Sequence, residues 1–319
     1  MGTIVNYLSS NIIRCMEYTM GLDSPFSLDY TLESGQVFRW ERRGEWWRGV
    51  VSGGVISLRQ EGDSLRCDSS GEALGSGFVR NYFRLDEDFE AVLGSFAKDR
   101  TITYAVQKFY GMRLIRQERW ECLASFLLAT NANIPRIKKM ISAVCTRFGE
   151  VFQFEGEDFR AFPKPEALAS ASMEDLRGCG LGYRAPFLKH VAKSVEEGRV
   201  DFTQIATLDY PESRNRLLTE LLGVKVLLGV GPKVSDCVLL YSFGQDQAFP
   251  IDVWIARQLA KSYPRLFGPD LRKKLSKEGT ARMTFRDYER ASEAARKYFG
   301  RYAGYAQQYL YVAAKAAAD

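Results

Sequence analysis

The spacing of apolar residues changes character once along the chain. Between about residues 25 and 80 they come in short runs separated by glycine pairs and polar turns, as in Gln36-Val-Phe-Arg-Trp40, Trp46-Trp-Arg-Gly-Val-Val51 and Val55-Ile-Ser-Leu58. β-Branched and aromatic residues dominate these runs, a pattern that predicts an antiparallel sheet. Beyond about residue 116 the apolar positions recur at helical spacing, and the helix ends are legible. Asn133 is a good N-cap, Pro135 suits a first turn, and Ile137, Met140, Ile141, Val144 and Phe148 follow until Gly149. A second helix carries Leu188, Val191, Ala192 and Val195 up to Gly198, and a third runs from Pro211 through Leu217, Leu218, Leu221 and Leu222 to Gly223. The predicted fold class is α+β: an N-terminal antiparallel β-sheet domain over residues 1–115, then a mostly helical domain over 116–319, with no long repeat and no tether between them.

Composition narrows the chemistry. A chain of 319 residues with 46% hydrophobic content suits two well-buried domains. The net charge of +5 is modest, so the placement of the basic residues matters more than their number. They bunch in Arg113-Leu-Ile-Arg116, Arg136-Ile-Lys-Lys139 and Arg272-Lys-Lys274, each readable as a phosphate-facing surface or as a solvated face. The six cysteines, at 15, 67, 122, 145, 179 and 237, are scattered, with no pair at the spacing of zinc or iron–sulfur ligands. A reduced, intracellular protein with no metal centre is expected. His190 is the only histidine, which excludes serine–histidine triads and two-histidine metal sites. The reaction, if there is one, must run on Lys, Asp, Glu, Cys or Tyr. The first twenty residues lack a signal-peptide core, Asn6 spoils the myristoylation pattern begun at Gly2, and no apolar run is long enough to span a bilayer. No membrane association is expected.

The most informative stretch is Leu227-Leu-Gly-Val-Gly-Pro-Lys-Val-Ser-Asp-Cys-Val-Leu-Leu-Tyr241, directly after the helix that ends at Gly223. Two helices joined through Gly229-Val-Gly231 make a hairpin, at about 212–243, whose glycine amides can point outward and hold a phosphate. Pro232 opens the second helix, and the unpaired N–H groups and positive dipole end add to that anion preference. Many unliganded turns share these features. Lys233 sits in the first helical turn and reads either as a solvated lysine or as an amine nucleophile, the group that attacks a sugar C1′, forms a Schiff base and permits β-elimination. Nineteen residues later Asp252, in Phe249-Pro-Ile-Asp-Val-Trp254, precedes a run through Ile255, Ala256, Leu259 and Ala260 and reads as an N-cap. A carboxylate gripped by backbone amides is also expected to stay ionised, and its charge would stabilise an oxocarbenium-like sugar.

With these residues in view the chain resembles the helix-hairpin-helix DNA glycosylase superfamily, and within it the 8-oxoguanine DNA glycosylase family. Gly-Val-Gly-x-Lys-Val-x-Asp-Cys at 229–237, Pro-Ile-Asp-Val at 250–253, Leu181-Gly-Tyr-Arg-Ala185, Leu32-Glu-Ser-Gly-Gln-x-Phe-Arg-Trp40, Val106-Gln-Lys-Phe-x-Gly111 and Tyr302-Ala-Gly-Tyr-Ala-Gln307 are all similar to motifs of that family. The resemblance implies a sheet domain similar to the TATA-binding-protein fold ahead of a helical glycosylase domain. It also implies a bifunctional glycosylase/AP lyase that needs no cofactor and acts as a monomer on double-stranded DNA with 8-oxoguanine paired to cytosine.

Roles follow from the same resemblance. Lys233 matches the nucleophile and Asp252 its electrostatic partner. Cys237, one turn beyond Lys233, matches one wall of the base pocket, though it reads equally as a small core residue. Tyr311 falls where the family usually has a phenylalanine as the opposite wall, and Gln307 matches the amide that reads the Watson–Crick edge. Gly35 matches the residue whose carbonyl accepts from N7–H, a hydrogen that guanine lacks. Asn131, Arg136, Tyr183 and Arg184 resemble the residues that fill the gap, wedge the duplex and bond the orphaned cytosine, and Gly229 and Gly231 the phosphate-holding hairpin. Departures are Trp254 in place of a histidine, in a position contacting phosphate or pocket, Ala132 inside an asparagine triplet, Leu228 in place of a proline, and the hydroxyl of Tyr311. Three other readings remain open here: a related glycosylase for another oxidised base, whose usual C-terminal four-cysteine cluster is absent; a non-catalytic helix-hairpin-helix DNA-binding protein, which would need neither Lys233 nor Asp252; and a lyase acting only on abasic sites, which would need neither Gln307 nor Gly35.

Overall fold

The computed structural model describes residues 16–222, 229–276 and 283–318. Five strands, β1 (Met16–Gly21), β2 (Trp40–Arg43), β3 (Trp46–Val51), β4 (Gly54–Glu61) and β5 (Ser64–Ser69), form an antiparallel sheet in the order β1-β5-β4-β3-β2. Trp47 and Val51 of β3 are buried while Trp46, Arg48 and Val50 between them are more exposed, the period-two alternation of a sheet with one covered face. The register sets Trp47 opposite Leu58 and Leu58 opposite Cys67, so the buried side chains align across three strands. They pack with Phe26, Leu32, Tyr82 and Phe83 into a core of their own.

The sheet is antiparallel as predicted, but Gln36–Arg39 does not extend it, and the strand starts at Trp40. The cause is the buried amide of Gln36. Its Nε2 donates to the Arg113 carbonyl at 2.8 Å and to the Ser34 hydroxyl at 2.9 Å, and its Oε1 accepts from the Ile115 N–H at 2.8 Å. These bonds hold residues 34–36 against the segment leading into the helices and keep them off the ladder.

The helix Ile134–Phe148 has the expected ends: the Asn133 side chain accepts from Arg136 N–H, and Gly149 follows as the C-cap. Ala185–Glu196 buries Leu188, Val191 and Ala192 as expected. The helix expected from Pro211 starts at Tyr210 and is described to Leu222. Gly223, Leu227 and Leu228, and with them the first turn of the hairpin, lie outside the described residues, as does Cys15. The other five cysteines are free and buried.

Two helices not foreseen in the first part of the chain, Phe89–Phe96 and Arg100–Lys108, are capped by Asp88 and Asp99. Phe96, Ile102 and Leu114 pack into the helical core while Ile115 packs into that of the sheet, so the two cores interleave along this stretch. A small hairpin, Val151–Phe154 with Glu157–Arg160, interrupts the helices. Both residues of its turn, Glu155 and Gly156, have positive φ (51° and 78°), and Glu-Gly is a weaker turn signal than Asn-Gly or Asp-Gly.

The basic cluster at 113–116 is not a phosphate-facing surface. Arg113 is fully buried, with its guanidinium 3.8 Å from the centre of the Phe89 ring and donating to the carbonyls of Pro25 and Arg84 and to the Ser24 hydroxyl. Arg116 is paired with Asp86 and Glu87. Arg136 and Lys139 are exposed, as the alternative allowed.

Candidate active site

The helix Pro232–Ser242 begins at Gly231, which offers no side-chain cap, so the amides of its first turn have no side chain to receive them. Gly229 ahead of it has a φ of 118°, and a β-carbon there would come within 2.8 Å of Leu127 and 2.9 Å of Phe187. Both the backbone conformation and the packing demand glycine. Lys233, half-buried in the first turn, carries its Nζ 5.2 Å from the centre of the Phe126 ring.

One turn on, Cys237 is buried. Burial pushes its thiol up to about 12, with Lys233 acting in the opposite sense. A thiol held protonated is a wall and not a nucleophile. Asp252 caps Val253–Ser262 as expected, accepting from Ile255 N–H at 2.8 Å. The grip expected to keep it ionised is present and works against burial, which raises the pKa of the carboxyl; the backbone amides of Ile255 and Trp254 and the Lys233 side chain oppose that rise.

These residues surround one cavity of about 670 Å³. Its lining includes Gly35, Gly229, Gly231, Lys233, Cys237, Asp252, Trp254, Gln307 and Tyr311, drawn together from the segment leading into β2, the hairpin, two helix starts and the last helix, Ala303–Ala316. Gln307 is 4% exposed, and its Oε1 is buried without a hydrogen-bond partner. An unpaired buried acceptor costs about 1–3 kcal/mol, which a ligand donor would recover.

Gly35 has a φ of 81°, and a β-carbon there would lie 3.3 Å from both Cε1 and Oη of Tyr311. The carbonyls on either side of Gly35 are engaged, Ser34 by Gln308 Nε2 and Gln36 by Gln117 Nε2, each at 2.8 Å. Among the described residues nothing donates to the carbonyl of Gly35. Burial, Asp252 and Cys237 all raise the pKa of the Tyr311 phenol, which is therefore a neutral wall.

The other four predicted residues form a separate group. Asn131, with a φ of 50°, reaches the cavity rim and donates from Nδ2 to Tyr183 Oη at 3.4 Å. Tyr183 is 51% exposed, and Arg136 is exposed; neither lines the cavity. Arg184 departs most from expectation. It is 1% exposed, lies 4.5 Å from the centre of the Tyr183 ring, and donates to the carbonyls of Thr130 and Asn131. Without DNA it braces the loop that carries Asn131. Ala132 lines the cavity, where a longer side chain would narrow it.

Phe126, Tyr241, Gln308, Phe285 and Lys315 also line the cavity and were not foreseen. Lys315 lies two turns beyond Gln307, on the helix whose earlier turns were already assigned to the pocket, so helical spacing alone pointed to it.

Comparison with known proteins bears on this geometry. Residues 21–123 match the family model described as "8-oxoguanine DNA glycosylase, N-terminal domain", and residues 124–276 match "HhH-GPD superfamily base excision DNA repair protein". The chain is 30% identical to the "Probable N-glycosylase/DNA lyase" of Methanothermobacter thermautotrophicus, over 90% of this chain and 92% of that one. Among solved structures it is similar to "MBOgg1 in complex with low affinity DNA ligand", with a TM-score of 0.82, 32% identity, and 95% of this chain and 96% of that one covered. It is also similar to the 8-oxoguanine glycosylase/lyase of Clostridium acetobutylicum, solved with double-stranded DNA containing cytosine opposite 8-oxoguanine. That match has a TM-score of 0.80 and 26% identity, over 92% of this chain and 93% of the other.

Proposed function

The chain belongs to the 8-oxoguanine DNA glycosylase family and is an N-glycosylase with DNA lyase activity, and from that premise we propose that it excises 8-oxoguanine opposite cytosine through Lys233. The observation that carries the reading is the cavity itself, where among the described residues an amine, an unpaired buried amide oxygen and an unengaged backbone carbonyl share one cleft.

In this reading the lesion is turned out of the duplex into the cavity between Cys237 and Tyr311. The Gln307 amide meets its Watson–Crick edge, the Oε1 taking an N–H that would otherwise be lost to water. The Gly35 carbonyl accepts from N7–H. Guanine presents a lone pair there, so it forfeits the bond and meets repulsion.

The nitrogen lone pair of Lys233 attacks C1′. The N-glycosidic bond breaks with its electron pair leaving on the base, which takes the proton given up by the newly bonded lysine nitrogen. The sugar ring opens to a Schiff base, a proton is lost from C2′, and the 3′ phosphate departs by β-elimination. Asp252 stabilises the positive charge that develops on the sugar. The enclosure that raises its pKa also leaves little water to screen that charge.

Arg136, Tyr183 and Asn131 act on the vacated stack and the opposite cytosine, and Arg184 reaches it only by giving up its hold on the 130–131 carbonyls. The reading takes a single chain as the acting unit. Incubation with a duplex bearing one 8-oxoguanine, with and without borohydride, tests this reading. A covalent protein–DNA adduct formed only with borohydride is the expected result, and base release with no adduct would contradict the lysine mechanism.

A further inference from the structure

Gln308 follows Gln307 in the last helix and projects about 100° further round it. It is 1% exposed. Its Nε2 donates to the Ser34 carbonyl at 2.8 Å and its Oε1 accepts from the Tyr241 hydroxyl at 2.5 Å. The Ser34 carbonyl can only accept, which fixes the amide's orientation and makes Tyr241 the donor. Tyr241 belongs to the helix that starts at Pro232, and its ring stacks on Phe126 with centroids 5.3 Å apart. Phe126 is the ring beneath Nζ of Lys233.

We propose that Gln308 is a positioning residue for lesion reading. By tying the Ser34 carbonyl to Tyr241 it sets the carbonyl of Gly35, the next residue, at a fixed distance from the helix that carries Lys233. This rests on the proposed role of Gly35. The 34–36 segment belongs to no strand, so its carbonyls are aimed by whatever grips them. Gln308 holds the one before Gly35 and Gln117 the one after. An error of a few tenths of an ångström at Gly35 weakens a bond to N7–H but leaves the reach of Lys233 to a sugar unchanged.

The test compares Gln308→Met with the unaltered protein, since methionine fills nearly the same volume without either hydrogen bond. Single-turnover excision of 8-oxoguanine opposite cytosine should slow about tenfold or more, while borohydride trapping on a preformed abasic site changes less than about threefold. Tyr241→Phe removes only the second bond and should shift the same ratio in the same direction by less, which keeps the inference testable if Gln308→Met folds poorly. Equal losses on both substrates would make Gln308 merely structural, and no loss on either would remove the brace altogether; each overturns the inference. If the unaltered protein cleaves abasic sites but leaves 8-oxoguanine in place, the proposed function itself fails, a result distinct from failure of the brace.

Discussion

On the side of the cavity proposed for the base, Gly35, Cys237, Asp252 and Gln307 are fixed by buried helices and by neighbours that grip their backbone, and two acceptors there have no donor among the described residues. On the side of the orphaned strand, Tyr183 and Arg136 are exposed and Arg184 is turned inward onto carbonyls. The first group is arranged for a ligand before the ligand arrives. The second is satisfied without one and has to exchange protein bonds for DNA bonds. In the proposed function, reading the lesion would draw on this rigid geometry, which favours discrimination and rate. Opening the duplex would draw on contacts that exchange protein partners for DNA.

The sharpest break in that contrast is Lys233→Gln. Glutamine fits the space but forms no Schiff base, so single-turnover excision should fall by about four orders of magnitude or more while gel-shift affinity for the lesion duplex stays within about threefold. Loss of both together would mean that Lys233 organises the site and does not act in it.

Asp252→Asn should follow, slowing excision about 10²- to 10³-fold because the charge is lost while the cap remains. It also separates function from stability. Burial raises the Asp252 pKa in the folded protein. The stability linked to this carboxyl is therefore fully present below its unfolded value of about 3.9 and is lost as pH rises through the folded value. At pH 7 the ionised group is a burden on the fold, so Asp252→Asn should melt at a higher temperature than the unaltered protein, with the difference shrinking toward pH 4. A lower melting temperature at pH 7 would show that the amides and Lys233 outweigh burial.

Gly35→Ala adds a β-carbon at a φ of 81° and 3.3 Å from the Tyr311 ring and hydroxyl. Excision of 8-oxoguanine should drop about tenfold or more, with abasic-site cleavage nearly intact. Equal loss on both substrates would reassign Gly35 to the fold alone.

The smallest effect belongs to the exposed side. Arg136→Met should change the rate opposite cytosine less than about threefold but relax the preference for cytosine over adenine by about tenfold. Equal losses opposite all four bases would make Arg136 a plain phosphate contact.

What was legible in the sequence follows how local each interaction is. Asn133, Asp252 and Pro232 act within one helical turn, so their caps could be read from spacing. Lys233 and Cys237 share a helix face for the same reason. Arg113 looked like surface because nothing near it in sequence reveals Ser24 and Pro25, which lie 89 and 88 residues away. Gln308 meets Ser34 across 274 residues, and no pattern announces such a contact. The rise in the Asp252 pKa was hidden for the same reason, because the cap is local whereas the burial that opposes it is built from the whole fold.

The most direct test of the account is to identify the residue that becomes joined to DNA. The borohydride adduct formed on an 8-oxoguanine–cytosine duplex would be digested and the modified peptide sequenced by mass spectrometry. Among the described residues two lysines, Lys233 and Lys315, line the cavity. The account predicts modification at Lys233 alone, and a cross-link at Lys315 or at any other amine would contradict it.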